Sequence, residues 1–168
     1  MTAAAVPLAI FLQVIIGAPL LLLSKRIGQV LDAMPASWLI ALQAYRVLGS
    51  AFLIGWARGL VPGVFALPAG IGDVTTGLLA VPVAILLAAG RPEGRKAAVA
   101  WNIFGLLDFT IAVSIGLMIA PGPLQVIVPS IPNATGGIYP TVMIPAFAVP
   151  SSILLHVLSL RQLRRCSR

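Results

Sequence analysis

The sequence predicts an all-α fold, an integral membrane bundle of five transmembrane helices. Three observations carry that expectation. The 168 residues are 60% hydrophobic and only 9% charged, whereas soluble domains carry about 25% charged residues. The apolar residues fall into long runs, each near the ~20 residues that cross about 30 Å of hydrocarbon. The basic residues gather between and after those runs, as topology signals do.

The first run, residues 3–23, lacks a basic n-region, and its charges Lys25 and Arg26 follow it. It therefore reads as a retained helix and not as a signal peptide. The next four spans are expected at 37–57, 70–90, 97–120 and 141–161. All five are taken as one transmembrane domain, residues 1–168. Pro145 and Pro150 predict a kink or an unwound first half in the last span. Residues 59–70, GLVPGVFALPAG, and the proline-rich segment 121–140 are apolar yet broken by prolines. Both are expected as connecting segments on the outer side, with 121–140 as an outer loop or cap.

With five spans, Lys25, Arg26, Arg91, Arg95, Lys96, Arg161, Arg164, Arg165 and Arg168 share one side, and Arg58 stands alone on the other. The positive-inside rule then places the N-terminus outside and the C-terminus in the cytoplasm. An even number of spans is expected to scatter these charges across both faces.

The formal net charge of +7 is explained by topology, so nucleic acid is not expected as a partner; membrane lipids are. The C-terminal RQLRRCSR is read as an anchor at anionic headgroups, with Cys166 an acylation candidate beside it. One His and one Cys leave no ligand set for zinc, haem or an iron–sulfur cluster, so no metal or cofactor is expected. No G-x-S-x-G elbow, P-loop or H-E-x-x-H occurs. Asn133-Ala134-Thr135 matches a glycosylation sequon. Trp38, Trp56 and Trp101 are expected as interfacial anchors near span ends. Gly55-x-x-x-Gly59 matches a helix-packing notch.

Against this apolar background, a few polar side chains stand inside spans. Each charge there costs roughly 2.5–3.5 kcal/mol on insertion scales and normally faces the bundle interior with a partner. Gln43, Arg46 and Ser50 share a stripe of the second span, and Asp73, Thr76 and Gly77 share a face of the third. Asn102, Gly105 and Asp108 follow one another down the fourth, and Ser152, His156 and Ser159 down the fifth. Arg46 and Asp108 are expected near mid-membrane, Asp73 toward the outside, Asn102 and His156 toward the cytoplasm. The expected pairing is Arg46 with Asp108, with Asp73 as a second carboxylate within reach of the same fork. Gly70-x-x-Asp73 and Gly105-x-x-Asp108 are similar patterns on antiparallel spans, as an inverted pair would be.

Four stretches carry a resemblance: Gln43-x-x-Arg46-x-x-Gly49-x-x-Phe52, Pro68-Ala-Gly-x-Gly-Asp73, Asn102-x-x-Gly105-x-x-Asp108, and Val149-Pro150-x-x-x-Leu154-Leu-His156-x-x-Ser159-Leu160. They resemble a group of short, uncharacterised bacterial multi-span membrane proteins. The resemblance implies a bacterial inner-membrane location and no particular activity. The residues themselves suggest binding or transport of a small polar solute, an anion or a proton. Arg46, Asp108, Asp73, Gln43, Asn102 and His156 would line the ligand site or ion pathway, and a homo-oligomer is expected for so short a chain. Two rivals stand beside this. One is a membrane-embedded enzyme using Asp as acid or base on a lipid-like substrate. The other is a non-catalytic subunit whose ion pair is a lock.

Overall fold

Backbone polar groups in hydrocarbon must be paired within their own segment, so apolar runs of this length wind into helices. A computed structural model of the protein describes residues 5–24, 29, 33–131, 139 and 141–165. The helices are α1 (Ala5–Leu23), α2 (Ala36–Ala57), α3 (Gly63–Ala88), α4 (Pro92–Ile119) and α5 (Ile144–Arg165). Among the described residues, α2 to α5 are the four helices long and apolar enough to span a membrane.

This corrects the five-span expectation. In α1 the apolar stretch found among the described residues is Ile10–Leu21, and it does not count with the four. Instead, α1 lies alongside α5 and runs in the same direction. Gln13 reaches Ala146, Gly17 faces the Leu154 side chain, and Arg161 donates to the Leu21 carbonyl. The assignment of an outside N-terminus needed an odd count and falls with it. The charge argument was blind to the difference: residues 1–23 carry no charged side chain, so the basic bias is identical with or without that span. Lys25, Arg26, Arg168, Cys166 and the Asn133 sequon lie outside the described residues.

Consecutive long helices alternate in direction. Gly59 and Gly90, at φ +70° and +67°, supply the left-handed residue that ends α2 and α3 and turns the chain back. Pro92 opens α4 at a first-turn position, where its missing N–H is not needed. The described basic side chains Arg91, Arg95, Lys96, Arg161, Arg164 and Arg165 gather where α2 and α4 begin and α3 and α5 finish; Arg58 stands at the opposite end. We call the first the basic end.

Residues 63–70 do not form a broken connection. They are the first two turns of α3, which runs through Pro68 and Pro82. The described part of the proline-rich segment turns back on α4, where Val126 and Ile127 donate to Met118 O. Leu124, Val126 and Val128 point outward, Val128 with 83% of its surface exposed, so this stretch does not cap the bundle. Gly55 and Gly59 make no helix-packing notch, since Gly59 sits in the turn after α2. Trp38 and Trp56 are exposed near opposite ends of α2, as interfacial anchors would be, but Trp101 is 4% exposed and belongs to the interior. The helix begins at 92 and not at 97, which sets Trp101 more than two turns inside.

Two helices depart from α winding near their polar side chains. In α2, Leu42–Gly49 is a 3-10 helix of eight residues, well beyond the usual three or four. At three residues per turn, positions i and i+3 stack. Ile40, Gln43, Arg46 and Gly49 are accordingly all buried along one line, where α winding would have favoured Ser50. In α5, Ile144–Ala148 is a π-helix, a five-residue distortion where the prolines predicted a kink or an unwound first half. Pro150 has no N–H for the carbonyl of Ala146, four residues back. Gln13 Nε2 donates to that carbonyl at 2.6 Å, and Tyr45 Oη donates to Ala148 O at 3.1 Å.

Helix contacts are made by small residues. Ala66, Ala69, Gly70, Gly72, Gly77, Ala80 and Ala84 line the buried face of α3, and large aliphatic side chains point outward. This inversion is expected where lipid, not water, is outside. An apolar cluster of Ile40, Ala80, Val83, Ala84, Ala98, Trp101 and Leu163 fills the half of the bundle toward the basic end. Gln13→Leu removes the side-chain donor from the α5 distortion. It is expected to cost about 1 kcal/mol of stability, read as a lowered unfolding temperature in detergent.

Candidate functional site

A guanidinium withdrawn from water needs partners for its N–H groups, and Arg46 has them from three helices. Its Nε donates to Asp73 Oδ1 of α3 at 2.7 Å. Its Nη2 donates to Asp108 Oδ2 of α4. Its Nη1 lies 3.1 Å from His156 Nε2 of α5. The guanidinium carbon is 3.8 Å from the centroid of the Phe109 ring, so one face is covered by a cation–π contact. The side chains are 1% (Arg46), 6% (Asp108) and 15% (Asp73) exposed. This is a buried intramembrane-type cluster of one cation and two carboxylates.

Arginine only donates, so the contact requires His156 Nε2 to accept. The proton of the imidazole is then on Nδ1, which donates to Asn102 Oδ1 at 2.9 Å. Asn102 Nδ2 passes the polarity on, to Ala98 O at 2.8 Å and Ser159 Oγ at 3.0 Å. A directed chain runs from Arg46 through His156 and Asn102 to Ser159. Trp101 packs against the imidazole at 4.9 Å between centroids, the rings tilted by 45°, and donates to Thr76 O at 2.9 Å. Tyr45 and Ser152 share a hydrogen bond that ties α2 to α5.

Glycines let the helices close on these groups. A Cβ at Gly72 would collide with the Asp108 carboxylate, one at Gly105 with the His156 ring, and one at Gly49 with Asp73. At Gly77 it would meet backbone, 2.5 Å from Val47 N and 3.0 Å from the Arg46 carbonyl carbon.

Sequence reasoning named Arg46, Asp73, Asp108, Asn102, His156 and Gln43, and the first five meet in one hydrogen-bonded network. Gln43 is buried one 3-10 turn from Arg46 but has no hydrogen-bond partner among the described residues. The expected depths hold in direction but were too large. Because α3 starts at Gly63 and α5 ends at Arg165, Arg46, Asp73, Asp108 and His156 all lie within about 4 Å of their helix midpoints along the axis. Asp73 is displaced about 4 Å toward the end opposite the basic residues and His156 about 2 Å toward the basic end, in the expected directions but by less than expected. The two Gly-x-x-Asp patterns do bring two carboxylates to one guanidinium from antiparallel helices. Phe109 went unnoticed because an aromatic next to Asp108 looks like ordinary core.

Gly77→Ala is expected to cost about 1–3 kcal/mol, because the atoms it strikes are backbone and cannot turn aside. Gly116→Ala, whose nearest neighbour would be Phe65 at 3.7 Å, is expected to be neutral or mildly stabilising. Parallel thermal unfolding of the two variants checks this contrast.

No curated protein and no solved structure matches this chain. A family model described as Domain of unknown function (DUF8737) matches residues 3–164. The chain, a multi-span membrane protein, belongs to that family.

Proposed function

We propose that the Arg46–Asp73–Asp108 cluster is the proton-binding centre of a small membrane transport protein. The carrying observation is the charge count at mid-depth: one guanidinium stands between two carboxylates in a lipid-shielded interior. With all three ionised, the cluster holds one net negative charge where an unbalanced charge is costly. A proton added to one carboxylate oxygen neutralises it and leaves Arg46 paired to the other.

An anion is less well accommodated. Nε, Nη1 and Nη2 of Arg46 each hold one protein partner, Phe109 covers one face and two carboxylates flank the guanidinium, so an oxyanion would meet two like charges. The same two carboxylates speak against Arg46 gripping the phosphate of a lipid-like substrate. The distorted windings of α2 and α5 beside the centre support transport, since discontinuous helices flank mid-membrane sites in many transporters. A bacterial inner-membrane location, resting on the resemblance of the four stretches, and assembly as a homo-oligomer are part of this proposal.

The ties of Arg46 to three helices also favour a second reading, a rigid lock between helices. Asp108→Asn separates the two, because asparagine imitates the neutral carboxyl. In proteoliposomes with a trapped pH dye and an imposed potential, wild type is expected to take up protons. Asp108→Asn, folded by circular dichroism, is expected to fall to the level of empty liposomes. A lock predicts equal dye signals for both, with the variant less stable.

A further inference from the structure

Gln43 is a buried side chain near the centre that the proton reading does not use. It is 0% exposed, and neither Oε1 nor Nε2 meets a hydrogen-bond partner among the described residues. A sealed, unpaired amide carries its full desolvation cost. The nearby Asn102 shows the contrast, with both amide atoms bonded. Gln43 sits on the same strained stretch as Arg46, the eight-residue 3-10 segment Leu42–Gly49. Two unfavourable features therefore coincide on the segment that carries the guanidinium.

What holds them in place is visible. Arg46 is tied to Asp73 on α3, Asp108 on α4 and His156 on α5. Gly49 lies against Asp73, and Val47 against Gly77. We infer that Leu42–Gly49 is a stretched spring, held in 3-10 form by the Arg46 ties and rewinding toward α-helix when the tie to Asp73 is released. Rewinding eight residues from about 2.0 to 1.5 Å per residue shortens α2 by about 4 Å. With Arg46 as the pivot, it turns Gln43 by about 60° out of its sealed position. The amide sets the bias: its unpaired state makes the stretched form the less comfortable one.

The inference deepens the proton reading, because a proton on Asp73 or Asp108 is the natural release, but the spring can be tested without it. Spin labels at Trp38→Cys and Ile54→Cys, both exposed on α2, with Cys166→Ser, report the length of the helix by pulsed electron resonance in lipid. At one fixed pH, adding Asp73→Asn is expected to shorten the label distance by about 4 Å. Adding Gln43→Leu to that variant removes the cost of the sealed amide and is expected to restore part of the longer distance. A distance unchanged by Asp73→Asn, in protein folded by circular dichroism, overturns the spring. A distance that shortens with Asp73→Asn but not on acidifying the parent keeps the spring and refutes the proton as its trigger.

Discussion

The structure depends on one guanidinium taken out of water. Arg46 at mid-depth brings donors into hydrocarbon, and each demands an acceptor. Asp73, Asp108 and His156 answer from three different helices, so satisfying one side chain fixes the mutual position of α2, α3, α4 and α5. The close approach this requires explains the glycines at 49, 72, 77 and 105, each of which would place a Cβ into a neighbour. It also accounts for the 3-10 winding, which keeps Gln43, Arg46 and Gly49 on one buried line against α3 where α winding would spread them around the helix.

Around that centre the bundle is organised as lipid requires. Most large aliphatic side chains face outward, small residues make many of the contacts, and polar side chains bond one another inside. The prolines of α5 would leave backbone carbonyls short of donors. Gln13 and Tyr45 reach across from α1 and α2 to the carbonyls of Ala146 and Ala148. Here α1 contributes by accompanying α5, in an apolar helix whose single amide side chain is spent on its neighbour's distortion.

Much of this was legible in the residues. Long uncharged runs give α2 to α5, and the rarity of intramembrane charge singles out Arg46, Asp73 and Asp108. Opposite charges in the same low-dielectric interior must pair, so the cluster followed. The span count did not, because charge bias is silent about a run that carries no charge. The start of α3 was hidden by Pro68, which reads as a breaker in sequence but is accommodated inside the helix. That error enlarged the offset of Asp73 from the midpoint, and the late end of α5 did the same for His156. The 3-10 segment was written in the three-residue spacing Gln43-x-x-Arg46-x-x-Gly49-x-x-Phe52. Assuming 3.6 residues per turn led to Ser50 in place of Gly49.

The central claim is that Arg46 lies between Asp73 and Asp108 within the membrane. Solid-state NMR in lipid bilayers, with Asp carboxyl carbons labelled with 13C and Arg side-chain nitrogens with 15N, measures it directly. Only Asp32, Asp73 and Asp108 contribute to the carbon signal. The account predicts strong dipolar coupling of both Asp73 and Asp108 to guanidinium nitrogens at ion-pair distance, lost for both in Arg46→Leu. Coupling at neither carboxyl, or coupling that survives Arg46→Leu, would contradict it.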